Sequence, residues 1–102
     1  MKRLKLGKLG RASVLKIKEG SSFRQDVQRM KKRGKSLNGL KKVVKLLAND
    51  KTLPGNYKDH DLAKEWSDYR ECHVEGDFLL IYKIEEESLI LERVGTHSDL
   101  FQ

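Results

Sequence analysis

The sequence predicts a small α+β domain in which two N-terminal helices pack on a small antiparallel sheet, in the order β-α-α-β-β-β. Three observations lead there. Two successive segments in the first half space their apolar residues as helices do, and three short runs in the second half read as strands separated by tight turns. A length of 102 residues supports one modest core and not two.

The elements follow in chain order. Residues 1–13, MKRLKLGKLGRAS, interleave basic residues with Leu and Gly and keep no period. They have the charge of a leader's first region without the apolar segment behind it, and are expected to be a flexible basic arm of a single domain spanning 1–102. Val14 to Glu19, VLKIKE, alternates apolar and charged residues and suits a strand that ends at Gly20. Ser22 and Gln25 have capping-box spacing, and Phe23, Val27 and Met30 fall at i, i+4 and i+7, which predicts a helix from Ser22 to Arg33 stopped by Gly34. Ser36 is placed to cap a second helix whose stripe is Leu37, Leu40, Val43, Val44 and Leu47. Asn49 to Asn56, with the only proline, reads as a loop, and Lys58 to Asp68 as a loop or short helix held by Leu62 and Trp66. Strands are expected at Tyr69–Val74, Phe78–Ile84 and Leu89–Thr96, with turns at 75–77 and 85–87, and connections this short demand an antiparallel meander.

Charge divides the chain. Residues 1–51 carry 17 Lys and Arg against 3 Asp and Glu, whereas residues 52–102 carry 5 against 12. A basic first half suits a polyanion or an acidic protein as partner, and equally a surface that keeps a small domain in solution. The single cysteine excludes an internal disulfide and suits a reducing cytoplasm. No apolar run approaches the length of a membrane span.

All three histidines lie between residues 60 and 97, as do the only tryptophan and cysteine. A meander can bring His60, His73, Asp77 and His97 together from a loop, a strand, a turn and a strand end. Two histidines can act as proton donor and acceptor in one reaction. Alternation along the last strand also puts Arg93, Gly95 and His97 on one face, a setting that could hold a phosphate. Such a set suits RNA cleavage by internal transfer, in which the ribose 2′-OH attacks the adjacent phosphorus; DNA lacks that hydroxyl and is spared. No metal or cofactor is expected, since histidine separations of 13 and 24 residues match no zinc-ligand spacing. Cys72 reads as a small buried apolar residue, Trp66 as a core plug or a base-stacking platform, and Phe101 as a ring with little reason to be core. These residues alone stop at a basic α+β domain that binds RNA, with a nuclease as one option.

Four motifs carry the reading further: YKDH at 57–60, W-x-x-Y-R-x-x-H at 66–73, DFLLIYK at 77–83 and E-R-x-G-T-H-x-x-L-F at 92–101. From about residue 14 onward the chain resembles the YafQ-like branch of the RelE/ParE superfamily of bacterial toxins. The resemblance implies two helices on an antiparallel sheet, the toxin half of a type II toxin–antitoxin pair, and an endoribonuclease that cuts mRNA in the ribosomal A site and so stops translation. It implies a cognate antitoxin as second partner. It places acid–base chemistry on His60, His73, Asp77 and His97, and substrate contacts on Lys58, Trp66, Arg70, Arg93 and Phe101. Phe78 stands where related sequences can have Trp, and Glu71 where they can have Asp. Two other readings use the same fold: a ParE-like inhibitor of DNA gyrase, which has no need of the histidine set, and a non-catalytic RNA- or protein-binding module.

Overall fold

A computed structural model describes residues 15–101; the expected basic arm at 1–13 lies outside the described residues. The chain runs β1 (Lys16–Glu19), α1 (Ser21–Lys32), α2 (Asn38–Ala48), a 3-10 turn (Gly55–Tyr57), β2 (His60–Asp61), a second 3-10 turn (Lys64–Trp66), β3 (Arg70–Glu75), β4 (Phe78–Glu85), β5 (Ser88–Gly95) and α3 (His97–Phe101). The strands form one five-stranded sheet in the order β1-β5-β4-β3-β2. The α+β class and the meander are as expected. The sheet as a whole is mixed rather than antiparallel, because β1 runs parallel to β5, Lys16 opposite Ser88 through Glu19 opposite Leu91. Alternation in VLKIKE reports a strand but not its direction; the helical crossover that follows makes a parallel partner reachable.

The two helices start differently from the capping expectation. The N-cap of α1 is Gly20 and that of α2 is Leu37, and neither has a side-chain cap. Ser22 falls inside the first turn of α1, and Ser36 Oγ accepts from the Asn38 N–H at 3.3 Å one residue before the α2 N-cap. The stop at Gly34 is as predicted. With φ +79°, Gly34 donates to the Lys31 carbonyl and Lys35 to the Met30 carbonyl, the paired bonds of a Schellman ending.

β4 explains the two-sided core. Phe78 to Tyr82, FLLIY, are all buried, as befits a central strand covered on both faces. Phe78, Leu80 and Tyr82 join Cys72, Val74, Leu89, Leu91 and Val94 beneath α1 and α2, where Phe23, Met30, Leu40, Val43 and Leu47 close the main core. Leu79 and Ile81 point to the face opposite α1 and α2, where Leu62, Trp66, Tyr69 and Leu100 make a smaller cluster. Cys72 is buried as expected, on the helix side, and burial pushes its thiol up to about 12. No described helix is long and apolar enough to cross a membrane.

Candidate active site on the open sheet face

The face opposite α1 and α2 gathers the histidines. Register places Glu71, Ile81 and Arg93 in one cross-strand row and His73, Leu79 and Gly95 in the next. His97 is not the strand residue that alternation predicted. β5 ends at Gly95, and His97 opens the five-residue α3, which folds back so that its ring faces His73 at 6.1 Å between centroids.

Gly95 makes this return possible. Its φ of +157° is one that side chains rarely adopt, and a Cβ there would lie 2.9 Å from both Cβ and Oδ2 of Asp99. Thr96 and Asp99 then cap α3 reciprocally, Thr96 N–H to Asp99 Oδ2 at 3.0 Å and Asp99 N–H to Thr96 Oγ1 at 3.1 Å. Gly95→Ala is therefore expected to cost about 1–3 kcal/mol through strain and crowding. Thermal unfolding followed by circular dichroism tests this; an unchanged Tm contradicts the fit.

Asp77, in the turn between β3 and β4, accepts from His97 twice, from the backbone N–H at 3.1 Å and from Nδ1 at 2.5 Å. These bonds fix the imidazole with Nδ1–H on the carboxylate and leave Nε2 free. They also hold the Asp77 carboxyl below its ordinary value, the His97 backbone N–H first. A depressed folded pKa means that this tie is fully present above about pH 4 and is lost as acid titrates the folded carboxyl.

His60 and His73 share a second carboxylate. Glu71 is buried, with Oε1 3.4 Å from His60 Nε2 and 3.9 Å from His73 Nε2. His60 Nδ1–H donates to the Lys58 carbonyl at 2.6 Å, so its Nε2 faces Glu71. Lys58 supports this bond with its backbone, in the left-handed conformation at φ +50°. Glu71 is the group that sequence reasoning missed. Its signal was present, because it precedes His73 by two in a strand and alternation puts both on one face.

Aromatic residues border the histidines. The Phe101 ring is 6.1 Å from His97 and 6.4 Å from Trp66, and Trp66 meets Tyr69 edge-on at 5.4 Å. Phe101 is an exposed ring, whereas Trp66 is partly buried against the small cluster. The remaining predicted residues stand apart. Arg70 shares its face with Tyr82 and Cys72, away from His73, and donates to Asp59 at 3.2 Å and Asp61 at 2.5 Å. Tyr82 donates to the same Asp59 oxygen at 2.7 Å, so this trio anchors the segment that leads into β2, the short strand on which His60 sits in place of the expected loop. Arg93 starts on the open face but passes the edge of β5, uncovered beyond Leu91 where β1 ends, to bond Asp26 of α1. Among the described residues, no group of three or more His, Cys, Asp or Glu is arranged to hold a metal ion.

The fold and site define a small α+β domain, a helix pair on a mixed sheet with three histidines and two carboxylates on the opposite face. The model of the bacterial toxin of type II toxin–antitoxin system, YafQ, matches residues 15–102, and the chain belongs to that family. It is 45% identical over 86 residues to the mRNA interferase toxin YafQ of Escherichia coli strain B, a match covering 83% of this chain and 94% of the relative. The E. coli DinJ–YafQ toxin–antitoxin complex contains a chain that superposes with a TM-score of 0.81 at 42% identity, over 87% of this chain and 99% of that one. A metal-bound toxin from Helicobacter pylori superposes with a TM-score of 0.79 at 43% identity, over 85% and 99%.

Proposed function

We propose that this protein is the toxin of a type II pair, an endoribonuclease that cuts mRNA in the ribosomal A site of the cytoplasm and is neutralised by a cognate antitoxin. The observation that carries the reading is the facing pair His73 and His97, one backed by Glu71 and the other held by Asp77. Kinship with proteins named mRNA interferase toxins supplies the substrate class. Kinship with a toxin solved in complex with its antitoxin supplies the second partner.

The chemistry requires no metal. One imidazole takes the proton of the ribose 2′-OH, the freed oxygen attacks phosphorus, the bond to the 5′ oxygen breaks, and the second imidazole returns a proton to that leaving oxygen. His97 presents Nε2 for one of these transfers, because Asp77 occupies Nδ1. His73 takes the other, and His60 shares the Glu71 carboxylate with it. Phe101 offers an exposed face to a base, and Trp66 supports that ring from behind. Arg93, tied to Asp26 at the margin of the same face, holds the end of β5 before His97, while Arg70 and Lys58 serve by holding the segment that leads into β2 and His60. Exposed Lys31, Lys32, Lys41, Lys42 and Lys45 on the helices suit both ribosomal RNA and an acidic antitoxin.

The test adds purified protein to ribosomes translating a defined mRNA and maps new 5′ ends by primer extension, beside a His73→Ala, His97→Ala double variant. Cuts in register with codons are expected from the native chain alone. They are expected to persist with a chelator selective for zinc and copper. Translation that continues on uncut mRNA overturns the reading.

A further inference from the structure

On the margin of the sheet, five charged side chains alternate in sign along the seam between α1 and the chain running from the end of β5 into α3. Arg93 donates to Asp26 through Nε at 2.7 Å and Nη2 at 3.2 Å, and Arg29 Nη2 reaches the same carboxylate at 2.6 Å. Arg29 Nε then lies 4.0 Å from Asp99, and Arg33 closes on both Asp99 oxygens at 2.9 Å each. Asp26, Arg29 and Arg33 stand at i, i+3 and i+7, one side of α1. The two acids also hold backbone, Asp26 the Val94 N–H at 3.0 Å and Asp99 the Thr96 N–H. The seam thus grips the chain just before and just after His97.

We propose that this seam positions α3, and that Arg33 is a positioning residue for His97 and Phe101. The proposal rests on the reading above, in which those two side chains serve cleavage. A helix of five residues has too few internal bonds to hold itself, and Leu100 is its only buried side chain. Its orientation must come from outside. Arg33 is the C-cap of α1, the end at which a cation is favoured, and its fork matches the Asp99 carboxylate bidentately. Its hydrogen bonds are also the main reason that the Asp99 carboxyl lies far below the usual carboxylate range. Without it the Thr96–Asp99 cap keeps α3 helical, but the angle of α3 on the sheet is no longer set from α1. His97 keeps its bonds to Asp77, but its setting against His73 is no longer braced from α1.

Trp66 is the only tryptophan and touches Phe101, so its emission reports the seating of α3 independently of any activity. The test compares the full-length native chain with Arg33→Gln and Arg33→Lys. Arg33→Gln is expected to raise acrylamide quenching of Trp66 and to lower kcat for ribosome-programmed cleavage about tenfold, with KM and far-ultraviolet circular dichroism unchanged, because small misplacement of a reacting group is costly. Arg33→Lys, which keeps the charge but not the fork, is expected to fall between the two. Native quenching in Arg33→Gln overturns the proposal, as does a loss of kcat without a change in quenching. If the native chain leaves mRNA uncut, the proposed function fails, while quenching still decides whether the seam seats α3.

Discussion

His97→Ala lowers the single-turnover rate of mRNA cleavage by about 10³-fold, within the range of a lost general acid or base. The expected loss is in kcat with KM little changed, since an imidazole that moves a proton contributes only in the transition state. His73→Ala is expected to match it, and the two together to lose little more than either alone, because a proton relay fails when either end is missing. Asp77→Asn separates orientation from chemistry. It keeps the His97 ring and an acceptor for the backbone N–H, but no longer enforces Nδ1–H on the imidazole, so a loss of about tenfold is expected, moderated by the exposure of this pair to water. Native Asp77 binds His97 throughout the neutral range, because its folded carboxyl titrates below the usual value. Its contribution therefore fades only as pH falls below about 4. Single-turnover cleavage on programmed ribosomes measures all of this. Rates for His73→Ala and His97→Ala within about threefold of native would remove both from the chemistry.

What the sequence disclosed and what it hid divide along a physical line. Periodicity and turn signals report which segments are helices and strands, and so the helix pair and the three meander strands were readable, whereas the burial of FLLIY on both faces was not read. It does not report strand direction or pairing at a distance, and so the parallel β1–β5 pairing was hidden. Nor does it report where a strand stops. Arg93, Gly95 and His97 alternate as if the strand ran through them, and only the left-handed φ of Gly95 turns His97 into the start of α3. The motif resemblance selected the histidines and Asp77, and the fold brings His73, His97 and Asp77 within reach. It could not separate residues that face the substrate from residues that hold the scaffold. Arg70 and Lys58 carry the loop, and Arg93 is tied to Asp26. Glu71 and Asp26 were given no role because an isolated acid reads as surface, although alternation places one beside His73 and helical spacing places the other inside the stripe of Phe23, Val27 and Met30.

Asp26→Ala carries the largest expected stability loss. The carboxylate is 2% exposed, deep in a chain of modest size, yet it holds four donors: Arg93 Nε and Nη2, Arg29 Nη2 and the Val94 N–H. A buried charge is tolerated only when its lone pairs are met, and here each oxygen is met by an arginine or an amide. Removing the carboxylate strands its partners. The Val94 N–H is left buried without an acceptor, at about 1–3 kcal/mol. Arg93 loses its counter-ion, which for a fully buried pair costs about 3–5 kcal/mol; partial exposure of Arg93 lowers that share. The two losses overlap, and a total of about 3 kcal/mol is expected, a large part of the margin of a domain this size. At a urea m-value of about 1 kcal/mol/M the unfolding midpoint falls by about 3 M. Asp26→Asn keeps one acceptor for the amide and forfeits only the charge, so its midpoint is expected between the two. The order native, Asn, Ala is what distinguishes a satisfied buried anion from a mere volume filler. If Asn and Ala proved equally destabilised, the Val94 bond would carry none of the energy; if both matched native, Asp26 would be a spectator in the core. The same ladder reads function, because Asp26 is the end of the seam that grips β5 just before His97.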